Sequence, residues 1–219
     1  MIKRYSLPKM SKVWEEESKF SKMLEIELLV CEALGRLGKI PRLSVANIKR
    51  RAKFSIKQIQ RLEEKTHHDI VAFVNNVSQY IGKDARYFHM GLTSSDLLDT
   101  TLALQLRESC AILIEDLKVL LQALKKKAEK YKDTPCMGRS HGVHAEPITF
   151  GLKMALMYEE TKRSIERLQR ARDEISVGKI SGAVGTYSNI DPRVEIYVCK
   201  KLKLKPASIS TQIIQRDIH

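Results

Sequence analysis

From Ser94 to Lys132 the chain runs without a glycine or a proline. Along that stretch Leu98, Leu102, Leu106, Leu113, Leu117, Leu120 and Leu124 recur at helical spacing. A helix of roughly 35 residues is about 50 Å long. A rod of that length needs neighbours of similar length to cover its apolar face, so the sequence predicts a helical bundle rather than a compact α/β domain. Glycine and proline cluster at 35–41, 82–91, 135–151 and 178–192, and the intervals between them also read as helices. Ser11 to Leu34 carries Phe20, Met23, Leu24, Leu28 and Cys31 on one face, and Ser44 to Ala52 forms a short helix. Ser55 with Gln58 has capping-box spacing ahead of a stripe that runs from Ile56 to Ile81, interrupted by polar residues at Thr66 to Asp69. Leu152 to Val177 supplies a second long helix. Asp191 and Pro192 open a third, as N-cap and first helical residue. Strand signals are scarce, with Ala207 to Thr211 the main candidate. The expected fold is all-α, with a small helical N-terminal domain over 1–110 followed at 111–219 by long bundle helices. The join lies inside one continuous helix.

With 219 residues, 43% of them hydrophobic, the chain is long enough and apolar enough for a buried core. The N-terminus lacks the apolar region of a signal peptide and no stretch has the length of a membrane span, so the expectation is a soluble cytoplasmic protein. Cys31, Cys110, Cys136 and Cys199 form no CxxC pair, which suits a reducing compartment and excludes a disulfide framework or zinc ribbon. A net charge of +13 favours anionic partners of some kind without choosing among them. The lysine run Lys125 to Lys127, with Lys130 and Lys132, has no interleaved aromatics and reads as a solvated helix end rather than a nucleic-acid surface.

Four polar clusters fall between the helices: Arg4 and Tyr5; Thr66, His67, His68 and Asp69; His89 with Thr93, Ser94 and Ser95; and GRSHGVHAEP at 138–147. Thr93 and Asp96 have capping-box spacing. The same helix start, with its free N–H groups, also favours an anion such as a carboxylate, and the two roles are compatible. His141 and His144 lack the cysteine pair or HExxH helix of a zinc site, so no metal is expected. The choice left open is between a merely polar turn and a proton-transfer site. Arg139, Ser140 and Glu146 share the loop, Gly138 and Gly142 allow close backbone approach, and histidine titrates near neutrality. GKISGAVGTYSNI at 178–190 has no nucleotide P-loop pattern and could equally be a tight turn between helices.

Taken together, THHDIVAFV, GLTSSDLLDT, GRSHGVHAEPITFG and GKISGAVGTYSNIDP, with IKRYS near the start and STQIIQRD near the end, resemble the adenylosuccinate lyase family of the fumarase/aspartase superfamily. The resemblance covers essentially the whole chain, and several motifs in order are more specific than any one. It implies β-elimination of fumarate from adenylosuccinate, giving AMP, and from the succinylcarboxamide ribotide of purine synthesis. No metal or organic cofactor is implied. By resemblance His141 is the general acid and His68 supports it. His89 lies near the nucleotide phosphate, and Arg4 and Tyr5 bind the nucleotide end. Thr93, Ser94 and Ser140 bind the succinyl carboxylates, Gln212 and Arg216 line the pocket, and Asp69 orients. Position 67, often arginine in relatives, is His67, which makes anion binding there weaker or pH-dependent. Ser140 stands where threonine is commoner. The family's general-base serine comes from a loop, SSxMPxKxNP, that this sequence does not contain, so the chain by itself is expected to be inactive. The family also implies a homotetramer whose long helices share one bundle. Rival readings are another superfamily member, such as a carboxymuconate cycloisomerase, and a basic helical module that binds polyanions.

Overall fold

The computed structural model describes residues 2–219. The fold is all-α. The glycine-free stretch forms a single helix, labelled α6, Ser94–Lys130, of 37 residues and about 55 Å. A second long helix, α7, covers Phe150–Glu174, and α8 covers Pro192–Leu202. Asp191 caps α8 as its spacing predicts: its Oδ1 accepts the Arg193 N–H at 2.9 Å, with Pro192 at the first helical position where no N–H is required.

The N-terminal stretch differs from expectation. In place of one helix from Ser11 to Leu34 there are two, α1 Pro8–Val13 and α2 Glu16–Arg36. The break has a tertiary cause: the Val13 carbonyl accepts a hydrogen bond from Gln105 Nε2 of α6 at 2.8 Å, and the backbone turns there before α2 begins. Next come α3 Arg42–Arg51, α4 Ile56–Thr66 and α5 Asp69–Ile81. The capping box expected at Ser55 does not form. Gln58 Oε1 is taken instead by Asn76 Nδ2 at 2.8 Å and the Tyr80 hydroxyl at 3.0 Å, while the Ser55 N–H donates to Asn76 Oδ1. Asn76 is fully buried and must find partners, and Gln58 and the Ser55 N–H supply them in place of a local cap.

Two small two-stranded sheets accompany the helices. An antiparallel hairpin joins β1 Pro135–Ser140 to β2 Val143–Thr149, and a parallel pair joins β3 Val177–Gly178 to β4 Lys205–Pro206. Neither was expected. The anticipated strand at Ala207 to Thr211 is absent; pairing stops at Pro206, and the Ala207 N–H makes a last bond to the Gly178 carbonyl.

The chain divides into two compact units: residues up to Glu108 together with Glu174–His219, and Ser109–Asp173. The first holds a continuous core in which Phe73, fully buried, stacks on Phe20 with centroids 5.6 Å apart and meets Phe54 and Phe88 at tilted angles. Residues 174–219, read from sequence with the bundle domain, lie in this first unit, because Val194, Val198, Cys199 and Leu202 of α8 join the same core and α8 packs on α2. In the second unit the Phe150 N–H bonds the Thr134 carbonyl, and the Tyr131 and Phe150 rings meet edge-on at 5.5 Å. Among the described residues no helix is long and apolar enough to cross a membrane.

Candidate active site

His67 and His68 form the corner between α4 and α5. His67 takes a left-handed backbone, φ 50°, and ends α4 with its N–H on the Glu63 carbonyl at 2.8 Å. His68 is the N-cap of α5, its Nδ1 accepting the Val71 N–H at 3.3 Å. That bond requires an unprotonated Nδ1, which places the ring proton on Nε2. The Nε2 atom lies 3.5 Å from the Ser94 hydroxyl, at the start of α6. Asp69 stands 3.7 Å from His68 Nδ1 and 3.7 Å from Lys19 Nζ, so it accompanies the corner without gripping the ring.

The start of α6 is tied to the glycine-rich loop at 178–190 by Asp96, read from sequence only as a capping residue, and by Lys179, which nothing in the sequence singles out. Asp96 Oδ2 accepts the Thr93 N–H at 2.9 Å, the reciprocal half of the expected capping box. The carboxylate reaches much further than a cap. It also accepts the N–H groups of Ser181 and Gly182 at 3.1 and 3.2 Å and pairs with Lys179 Nζ at 2.5 Å. Asp96 and Lys179 are both fully buried, and Lys179 further donates to the Gly182 carbonyl at 2.9 Å. Five bonds thus satisfy two charges taken out of water, the condition under which a buried pair persists. Glu195 of α8 accepts the Ile180 N–H and the Tyr187 hydroxyl, both at 2.6 Å. Burial first, and then Glu195, push the Tyr187 phenol well above its ordinary range. Asp99, almost wholly buried, accepts the Ile214 N–H at 2.8 Å and pairs with Arg216 at 3.0 Å, which holds the 212–216 segment against α6. Gln212 beside it is exposed.

His89 also has a left-handed backbone, φ 60°. Its N–H and Nδ1 both meet the buried carboxylate of Glu27, at 3.1 and 2.5 Å. Gly91, φ 79°, passes so close to the Asn189 carbonyl that a Cβ there would overlap it. Arg4 and Tyr5 are exposed and pair with each other, Arg4 Nη2 donating to the Tyr5 hydroxyl at 2.8 Å while the guanidinium lies 4.8 Å from the ring centroid.

GRSHGVHAEP is the tip of the β1–β2 hairpin. His141 and Gly142 are its two turn residues, both with positive φ (52° and 77°), the type I′ geometry that matches strand twist. Ser140 pairs with Val143 and Arg139 with His144, and a bulge sits at Gly138, where a side chain would strike the Glu146 carbonyl. Arg139, Ser140, His141, His144 and Glu146 are all exposed, and among the described residues none makes a side-chain hydrogen bond or ion pair with another. This hairpin belongs to the second unit, whereas every other predicted site residue belongs to the first. Among the described residues no group of three or more histidine, cysteine, aspartate or glutamate side chains could hold a metal ion.

Over all 219 residues the chain is 52% identical to the adenylosuccinate lyase of Bacillus subtilis, covering 51% of that protein. It is 50% identical over the same length to the adenylosuccinate lyase of Synechocystis sp., again covering 51%. The chain therefore spans about half the length of the curated relatives it matches. Among solved structures it superposes on 3-carboxy-cis,cis-muconate lactonizing enzyme from Pseudomonas putida with a TM-score of 0.90 and 28% identity, covering 98% of this chain and 51% of that one. It superposes on a fumarate lyase from Mesorhizobium sp. with a TM-score of 0.87 and 30% identity, covering 92% and 49%. A family model described as lyase matches residues 3–219, and the chain belongs to that lyase family.

Proposed function

We propose that the protein of which this chain is part eliminates fumarate from adenylosuccinate, leaving AMP, and from the related succinylcarboxamide ribotide. The observation that carries this reading is the end-to-end likeness to adenylosuccinate lyases at about half identity, well above the likeness to the muconate enzyme. In such an elimination a base removes the proton beside a carboxylate while an acid protonates the departing nitrogen. His141 is assigned the acid's part and His68 its support. His68 is suited to a donor's role, because the Val71 N–H occupies Nδ1 and leaves the proton on Nε2. Thr93, Ser94 and Ser140 are assigned to the substrate carboxylates, His67 to weaker or pH-dependent anion binding and Asp69 to orienting. His89, Arg4 and Tyr5 are assigned to the nucleotide end, with Gln212 and Arg216 lining the cavity. Arg216 already shares its charge with Asp99, so its part is to shape the wall rather than to supply a free cation. No residue of this chain is assigned the general base, and no cofactor is invoked.

The reading includes a homotetramer whose shared bundle takes in the long helices α6 and α7. It is supported by the apolar side chains that α6 and α7 leave in water, among them Val119 and Leu120 on α6 and Leu152, Leu156 and Met157 on α7. It places the protein in the cytoplasm, where four free cysteines stay reduced.

The test is complementation. This chain is expected to release no fumarate alone, and to do so from adenylosuccinate when co-expressed with the matching second half of the Bacillus subtilis relative. His141→Gln in that assembly is expected to lower turnover about 100-fold or more. Turnover of a carboxymuconate with none of adenylosuccinate would replace the reading with the cycloisomerase one. RNA binding with a steep salt dependence and no response to succinyl nucleotides would replace it with a polyanion-binding module.

A further inference from the structure

Glu27 occupies a place in the apolar stripe of α2, between Met23 and Cys31, and is fully buried. A carboxylate taken out of water requires partners. Among the described residues no lysine or arginine reaches it; its ion-pair partner is His89. The carboxylate spends one oxygen on the His89 N–H and the other on Nδ1. That double grip also holds His89 in a left-handed backbone that L residues rarely adopt. The other ring nitrogen, Nε2, has no protein partner among the described residues and is not a buried atom, and about a fifth of the side chain stays exposed (21%). A side chain clamped on one nitrogen and bare on the other is arranged to present that second nitrogen outward.

We infer that Glu27 is a positioning residue for His89: from inside α2 it fixes the backbone and one ring nitrogen, so that Nε2–H stands outward as a cationic donor to a phosphate oxygen of the nucleotide. The inference rests on the nucleotide reading above and names the group that makes the histidine fit for it. The charges that act on His89 come from Glu27 on α2 and Asp96 on α6, and Asp96 is itself paired with Lys179. Cys31, one turn along α2, is held as a neutral thiol, first by burial and then by the charge of Glu27. Burial, the largest single influence on His89, pulls its pKa down; the Glu27 hydrogen bond and the two carboxylate charges together outweigh it, and the net direction is upward. The imidazolium therefore persists to higher pH than in a free histidine. Phosphate binding is full below the ordinary histidine range and fades as pH rises through the raised value.

The experiment is an NMR titration of the His89 ring in the 219-residue chain and in Glu27→Asp and Glu27→Gln, with and without inorganic phosphate, with circular dichroism as the check on folding. The titration midpoint is expected to fall in the order wild type, Glu27→Asp, Glu27→Gln. Phosphate affinity at mildly alkaline pH should be about tenfold weaker in Glu27→Gln, the loss of one charge-assisted hydrogen bond. Should Glu27→Gln not fold, the comparison of Glu27→Asp with wild type still decides the order. A His89 midpoint unmoved by either variant, or a ring indifferent to phosphate in the wild type, overturns the inference. In the complemented enzyme Glu27→Gln is expected to raise KM for the succinyl nucleotide about tenfold above neutral pH. Its kcat should stay within about twofold, since the interaction is made equally in ground and transition states. A fall in kcat with KM unchanged overturns it. If the complemented wild type releases no fumarate while the midpoint order and the phosphate response hold, the nucleotide reading alone fails and the Glu27 clamp is supported.

Discussion

The two compact units differ in how much of their apolar surface they enclose. In the unit formed by residues up to 108 and 174–219, side chains such as Met23, Ile26, Phe73, Leu97, Ile180 and Val198 are completely enclosed. In Ser109–Asp173 the deepest hydrophobics are Ile114, Leu124 and Ile165, the first 4% exposed and the other two 8%, while Leu156 and Val119 stand 69% and 65% exposed. Polar groups divide the same way. Asp96, Asp99, Glu27, Glu195 and Lys179 are buried and bonded in the first unit, whereas Arg139, Ser140, His141, His144 and Glu146 of the hairpin have no side-chain partner among the described residues. One unit encloses a continuous core and a set of bonded charges, although Leu43 and Ile209 still stand exposed on it. The other encloses few side chains and leaves the polar residues of its hairpin on an open surface.

The sharpest way to break that contrast is Lys179→Met. Removing the ammonium leaves Asp96 charged and buried, with an expected loss of about 3–5 kcal/mol in urea denaturation, confined by hydrogen exchange to the first unit. A loss below about 1 kcal/mol would mean that the buried pair is not what fastens the 178–190 loop. Two glycines with nearly equal φ then separate backbone strain from crowding. Gly91→Ala meets the Asn189 carbonyl as well as the left-handed strain, and is expected to cost about 2–3 kcal/mol. Gly142→Ala meets nothing within 4 Å and is expected to cost about 1 kcal/mol, the strain alone. Equal effects would remove the distinction between a crowded loop and an open turn. The smallest expected change is Leu156→Ser, within about 0.5 kcal/mol on the folded chain, with its effect appearing as weaker self-association in sedimentation velocity.

The helices were legible where periodicity and punctuation agree. The Gly- and Pro-free leucine stripe became α6, and Asp191 with Pro192 opened α8. The break between α1 and α2 was not legible, because no local breaker marks it; a carbonyl captured by Gln105, 92 positions away, makes it. The hairpin hid behind a turn dipeptide, His-Gly, that lacks the commoner Asn-Gly or Asp-Gly signal, and behind strands interrupted by Pro135, Gly138 and Pro147. The titratable candidates were visible from residue type and company. Of the buried acids bonded to them, Asp96 was legible only as a cap, and Glu27 and Asp99 were not, since carboxylates in a helix read as solvated. Glu27 did carry a signal: Phe20, Met23, Cys31 and Leu34 set a stripe, and position 27 falls on it. A lone charge in register with an apolar face marks a buried pair before any coordinates exist.

The bond from Lys179 to Asp96 joins positions 83 apart, and the sequence between them includes the whole second unit. On a ribosome adding roughly 5–20 residues per second, Asp96 waits on the order of 4–17 s for its counter-ion to be synthesised. During that interval the start of α6 must stay hydrated or be shielded by another protein. The chain is therefore most exposed to misassembly during its own synthesis, and slow codons placed between the two positions would lengthen that exposure.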